Sequence, residues 1–218
     1  MKLDETAVLW SAPERERAGR PLLVLLHGYG SHEGDLFSLS PALPLEPVIA
    51  SVRAPIAESG GWAWWSRRDS VAGDPPMEIV DAAAAAIIEW LDTLHSSSVS
   101  LLGFSQGAAM ALQLLRLDPG RFAAAVSLSG FVAGGEHPGD ARLAEVRPPV
   151  FWGRGTDDTV IPDYAIDRTA TWLPAHTAAT IRTYEGLGHS ISTPELAEFS
   201  AFLRTHAQTV RPDATPHQ

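Results

Sequence analysis

Short unbroken apolar runs alternate along the chain with longer segments of helical periodicity. Residues 22–26, 48–52, 99–103, 122–128 and 150–152 are largely apolar runs, most of them bounded by turn residues, and the fully apolar ones suit strands buried on both faces; 179–184 also reads as a strand. A further short strand is expected within 6–12. Between these runs lie helical patterns. Over 78–94, Ile79, Ala82, Ala83, Ala86, Ile87, Trp90 and Leu94 recur at helical spacing. Residues 106–117 are rich in Ala, Leu and Met, 163–172 reads as a helix, and Thr193-Pro194 opens a last one over 194–206. Strands alternating with helices predict parallel strands joined by helical crossovers, a doubly wound α/β sheet with helices on both faces. Two stretches stand outside this rhythm. Residues 28–35 form a Gly-rich loop, followed by a short helix punctuated by Pro41, Pro44 and Pro47. Residues 53–76, with Trp62, Trp64 and Trp65, read as a long ordered loop.

No repeat or linker interrupts the pattern, so residues 1–207 are expected to form a single domain. The polar stretch 208–218, with two prolines, is expected to fray. A chain of 218 residues is long enough for one well-buried core. The formal net charge of −10 repels phosphate backbones and anionic membrane surfaces, so neither nucleic acid nor a membrane is an expected partner. Arg67 and Arg68 are merely adjacent, and no basic cluster marks a site for strongly anionic substrates. The absence of cysteine removes disulfides, thiolate metal sites and a cysteine nucleophile from consideration. The first ten residues lack the apolar core of a signal peptide, and the run 82–88 is too short to cross a bilayer. A cytoplasmic location is expected.

The strongest chemical signal is Gly103-Phe104-Ser105-Gln106-Gly107. It fits G-x-S-x-G, and it lies directly after a predicted strand and before a predicted helix, where a tight turn exposes a nucleophilic serine. A serine hydroxyl needs a base to take its proton. Of eight histidines, His189 stands in a Gly-flanked loop between a strand and the last helix, where ligands meet an open α/β sheet. The acid that orients the imidazole is expected between the two, in the loop Trp152 to Pro162. Asp157 and Asp158 both stand there, and Asp157 is preferred. An oxyanion hole is expected from backbone N–H groups of Tyr29, in Leu26-His27-Gly28-Tyr29-Gly30, and of Gln106. His27 reads as an organiser of that loop rather than a second base.

These pieces, with Ser127-Leu128-Ser129-Gly130, Asp157-x-x-Val160 with Pro162, and Gly188-His189-Ser190, resemble the phospholipase/carboxylesterase family of α/β-hydrolases, the group that includes the acyl-protein thioesterases. The resemblance spans about residues 20 to 205. It implies the α/β-hydrolase fold, hydrolysis of carboxylic esters, acyl thioesters or lysophospholipids, and no cofactor. In the family the catalytic aspartate stands three residues before a valine, a register that selects Asp157, and an oxyanion N–H belongs to the residue two after the loop histidine, here Tyr29. Two departures are visible. Trp152-Gly153 stands where the family often has His-Gly, with one extra residue before Asp157. The cluster Trp62, Trp64 and Trp65 is also unlike the thioesterases. The resemblance puts this loop beside the acyl pocket, where indoles would narrow the site toward short acyl chains; alternatively they are the loop's own core.

A small ester is therefore the expected substrate, with an acyl thioesterase or lysophospholipase as the alternative and a non-catalytic binding protein further off. A serine peptidase would use the same three groups. A metal hydrolase has only Asp157, Asp158, His27 and His32 to draw on, without a recognisable ligand spacing, so no metal is expected. A homodimer is compatible with such a fold.

Overall fold

The structure, a computed structural model, describes residues 1–207, apart from the side chain of Asp69; the stretch 208–218 expected to fray lies outside the described residues. The chain begins with a two-residue strand, β1 (Leu9–Trp10), shorter than the segment expected there. β2 (Leu22–Leu26), α1 (Gly34–Phe37) and β3 (Val48–Val52) follow. A small hairpin comes next, β4 (Ile56–Glu58) and β5 (Gly61–Ala63), then α2 (Met77–Asp92). The second half runs β6 (Val99–Phe104), α3 (Gln106–Leu117), β7 (Phe122–Leu128), α4 (Asp140–Val146), β8 (Pro149–Gly155), α5 (Asp163–His176), β9 (Ala178–Tyr184) and α6 (Thr193–His206). The main sheet has the order β1-β3-β2-β6-β7-β8-β9. Every neighbouring pair is parallel except β1 with β3. This is the mostly parallel α/β-hydrolase sheet expected from the alternation.

Alternation within the strands divides the core in two. Leu22, Val24 and Leu26 of β2, with Ala50 and Val52 of β3, face one cluster, together with α2, α3 and α5. Leu23 and Leu25, with Ile49 and Phe151, face the other, closed by Phe199 and Leu203 of α6 and Leu36 of α1. Successive strand side chains point to opposite faces, so fully buried runs require helices on both sides. α3 is the most enclosed helix: every residue from Gln106 to Arg116 is buried. Its alanines and glycine let it lie close to the sheet, and α2 packs against it. α6 starts on a capping box, Ser192 with Glu195, and carries proline in its first turn.

Two elements were not anticipated. The segment 53–76, expected as loop, contains the β4–β5 hairpin, whose two turn residues Ser59 and Gly60 both have positive φ, the geometry that closes two-residue hairpins. α4 has only Leu143 buried, so its sequence carries little apolar periodicity. The boundary that matters most is that of β8. It was expected to end at Trp152, but it pairs with β9 as far as Gly155↔Tyr184.

Candidate active site

Ser105 sits between the end of β6 and the start of α3 with φ 54° and ψ −117°, a left-handed conformation that a residue with a side chain adopts only where its surroundings enforce it. Two glycines provide the enforcement. A Cβ on Gly103 would overlap the Gly107 carbonyl, and a Cβ on Gly107 would overlap the Leu26 carbonyl. The turn can close only because both side chains are absent. The Ser105 N–H is held by the Leu128 carbonyl at 2.8 Å, and its own carbonyl accepts from Ala108 at 3.0 Å and Ala109 at 3.1 Å. The backbone is thus pinned from both sides, leaving the hydroxyl free to project.

The imidazole of His189 bridges two groups. Its Nε2 lies 2.9 Å from Ser105 Oγ. Its Nδ1 lies 2.7 Å from Oδ2 of Asp158. With Nδ1 donating to the carboxylate, the Nε2 lone pair faces the hydroxyl proton, the tautomer required of a base acting on serine. The Phe104 ring packs against the imidazole with centroids 4.9 Å apart.

The carboxylate beside His189 is that of Asp158, which corrects the expectation of Asp157. The Asp157 side chain is exposed, and the hydrogen bond it receives comes from the Thr156 hydroxyl at 3.1 Å. Its backbone N–H is tied to Leu187 of the histidine loop at 3.0 Å. Two physical reasons account for the shift. β8 stays paired through Gly155, so the turn begins later and its inward position falls one residue further on. Val160, the register mark that selected Asp157, is 49% exposed, and its N–H is bonded to Asp158 instead. Asp158 is almost wholly enclosed, its side chain 1% exposed, and its second oxygen accepts the N–H groups of Val160 at 2.9 Å and Ile161 at 3.3 Å. Burial pushes its carboxyl pKa up, but the His189 hydrogen bond and the two backbone donors outweigh that and hold it below the ordinary value.

Tyr29 and Gln106 both line the cavity at Ser105. Gln106 is the first residue of α3, so its N–H has no intrahelical acceptor, and the positive end of the helix dipole points at the same place. The Gln106 side chain has a second task that the motif does not reveal. Its Oε1 accepts from the Trp64 N–H and its Nε2 donates to the Trp65 carbonyl, both at 2.8 Å. His27 organises the opposite loop, as expected. Its Nε2 accepts from the Ala54 N–H at 3.1 Å, so Nδ1, 2.7 Å from the Gly28 carbonyl, carries the proton. Burial pushes its pKa down, against the opposing pull of that carbonyl, which keeps the ring neutral.

The three tryptophans divide. Trp65 alone of them lines the cavity, edge-on to Phe131. Trp64 is fully buried and donates from its indole to the His27 carbonyl at 2.9 Å; it is core. Trp62 sits on β5 under the Arg53 guanidinium, 4.8 Å from the ring centre. The expectation that Trp62 and Trp64 contact substrate is corrected accordingly: successive residues on this segment face different ways, and only one faces Ser105. The cavity holds about 190 Å³, with Phe131, Ile161, Val160 and the segment Ser70–Gly73 completing its walls. Of these wall residues the motifs contained only Val160, as a register mark and not as a wall; they come from three separate loops brought together by the sheet. That segment is pinned from α5, by Tyr164 Oη on the Ala72 carbonyl and by Arg168 on Asp74 at 3.0 Å. Among the described residues no cluster of His, Asp or Glu could hold a metal ion, and no helix is long and apolar enough to cross a membrane.

Comparison with known proteins gives the family and the fold. Residues 11–207 match the Phospholipase/Carboxylesterase family. The chain is 27% identical over 180 residues to acyl-protein thioesterase 1 of Eremothecium gossypii, a match covering 81% of this chain and 77% of that protein. It is 30% identical over 116 residues to the carboxylesterase SOBER1 of Arabidopsis thaliana, covering 50% of this chain and 49% of the other. In three dimensions it is similar to the Bacillus cereus carboxylesterase, with a TM-score of 0.76 over 91% of this chain and 93% of that one at 22% identity, a likeness of fold.

Proposed function

The chain belongs to the phospholipase/carboxylesterase family of ester-bond hydrolases, and from that footing we propose that it cleaves carboxylic esters of short to medium acyl chains, with Ser105 as nucleophile, His189 as proton carrier and Asp158 as the orienting carboxylate. One observation carries the reading: a single imidazole within hydrogen-bond distance of both Ser105 Oγ and the buried Asp158 carboxylate.

Ser105 Oγ attacks the acyl carbonyl while its proton passes to His189 Nε2. Asp158 steadies the imidazolium without taking the proton. The N–H groups of Tyr29 and Gln106 face the developing oxyanion, an interaction of the kind that contributes about 3 kcal/mol per donor. His189 returns the proton to the departing alcohol, leaving an acyl-serine ester. A water molecule deprotonated by the same ring then releases the acid and restores the hydroxyl. The small cavity behind Ser105, walled by Trp65 and Phe131, supports a short acyl group. It is below the roughly 300–1,000 Å³ usual for drug-sized ligands. The same three groups serve a thioester equally well, and the likeness to a thioesterase keeps that leaving group as the second reading.

The test is a series of p-nitrophenyl esters from acetate to palmitate, run beside the corresponding acyl thioesters. Activity highest at short chains is expected, and Ser105→Ala should reduce it by about 10⁴-fold or more. Turnover surviving in Ser105→Ala would remove the nucleophile assignment. A maximum at long chains would overturn the short-acyl reading.

A further inference from the structure

The linear sequence shows no basic cluster, yet the fold places one cation at the mouth of the site. Resting on the ester-hydrolase reading above, we propose that Arg67 is an anion-recognition residue and that the substrates are esters bearing a second, ionised carboxylate, such as monoesters of dicarboxylic acids.

Three observations support this. Arg67 lines the same cavity as Ser105 and His189, and that lining contains neither aspartate nor glutamate. Its guanidinium is therefore the one permanent charge there, in a chain whose net charge is −10. Second, this cation is uncommitted. Arg53, Arg116, Arg121, Arg142, Arg168 and Arg182 are all taken up by carboxylates. Among the described residues Arg67 has no such partner; its side chain lies over the Tyr29 ring, 5.2 Å from the centre. Third, it is positioned. The Tyr29 hydroxyl donates to Glu58 at 2.9 Å, so the ring beneath the guanidinium is fixed from its far side and holds the cation by its π face. The planar fork is left free to meet a carboxylate with two parallel N–H donors.

The rest of the cavity fits a short dicarboxylic half-ester. Trp65, Phe131 and Ile161 offer apolar walls for the methylenes, while the ionised end remains at an exposed arginine where it keeps part of its hydration. A single guanidinium balances one negative charge, which favours a carboxylate over a phosphate dianion. The general field of an acidic surface disfavours anions, so acceptance of such a substrate depends on this residue.

The experiment compares methyl hydrogen glutarate with methyl 5-amino-5-oxopentanoate, in which a neutral amide of the same shape replaces the carboxylate, reading the ratio of their kcat/KM values. The ratio should favour the charged ester in the native protein. It should fall by about tenfold in Arg67→Met, chiefly through KM, and be partly restored in Arg67→Lys. Added salt should raise KM for the charged ester only, and only while the cation is present. A native ratio at or below unity, or one unchanged in Arg67→Met, overturns the proposal while hydrolysis of the neutral ester leaves the esterase reading standing. Preference for an ester bearing a phosphate over the half-ester overturns the choice of carboxylate. Hydrolysis of neither ester removes the esterase reading and this inference with it.

Discussion

Two turns at the carboxyl end of the same sheet supply the two outer groups of the hydrogen-bonded chain Ser105–His189–Asp158, and they are built differently. The turn after β6, carrying Ser105, depends on two glycines, each two positions from the serine: Gly103 could bear no side chain against the Gly107 carbonyl, nor Gly107 against that of Leu26. The turn after β8, carrying Asp158, takes its shape from a neighbour far along the chain. β8 continues to Gly155 because β9 pairs with it, and Asp157 is tied by its backbone to Leu187 of the histidine loop. A turn whose required residues all lie beside the serine announces it in a motif, even where distant carbonyls set the requirement. A turn shaped by a neighbouring strand leaves the inward position open by one residue, and two adjacent aspartates turn that single residue into a wrong choice.

The sharpest way to break this comparison is at the acid. Asp158→Asn should lower kcat by about 10⁴-fold through the wrong imidazole tautomer, whereas Asp157→Asn should stay within about twofold. Comparable losses in both variants would mean that the two carboxylates share the task. The serine turn is tested next, through its backbone. Gly107→Ala forces a Cβ into the Leu26 carbonyl and should destabilise the fold by about 3 kcal/mol, visible as a lower Tm alongside lost activity; a variant of native stability would show the turn to be less tightly closed than described. A smaller effect is expected at the link between the serine turn and the tryptophan segment. Gln106→Ala leaves the Trp64 N–H and Trp65 carbonyl buried without their partner, at about 1–3 kcal/mol for each unsatisfied group. Urea titration measures that loss, and an unchanged midpoint would rule out the clamp.

The smallest effect concerns the back of β8. Glu195 is buried against Gly153, one of its oxygens lacks a hydrogen-bond partner, and burial pushes its pKa up to about 7. A carboxyl whose folded pKa lies above its unfolded value binds the proton more tightly when folded. Its stability contribution is therefore full below the ordinary value of 4.5 and is lost as pH rises toward 7. Glu195→Gln should raise Tm at pH 8 relative to the native protein and little at pH 4. Asp158 has the opposite sign. Its folded pKa is held below 3.8, so its contribution is present above that value and disappears as pH falls through the lowered one. Loss of stability in acid that Asp158→Asn fails to reduce would contradict the bonding described for this carboxylate.

Much of this protein is decided by residue pattern alone. Apolar runs too uniform for a half-exposed sheet required helices on both faces, and a G-x-S-x-G between strand and helix marked Ser105, because period and steric room are local properties of the chain. The Gly-flanked His189 and the loop bearing Tyr29 were legible for the same reason. Tertiary structure decided the remainder. It selected Asp158 over its neighbour, because strand pairing set where the turn begins. It kept Trp65 at the cavity and sent Trp64 to the core and Trp62 to Arg53, because the Gln106 clamp and the β4–β5 hairpin orient that segment from outside it. It also brought Arg67, which in sequence is merely adjacent to Arg68, into the wall of the cavity at Ser105. Each of these rests on contacts between residues distant in sequence, and no local periodicity encodes them.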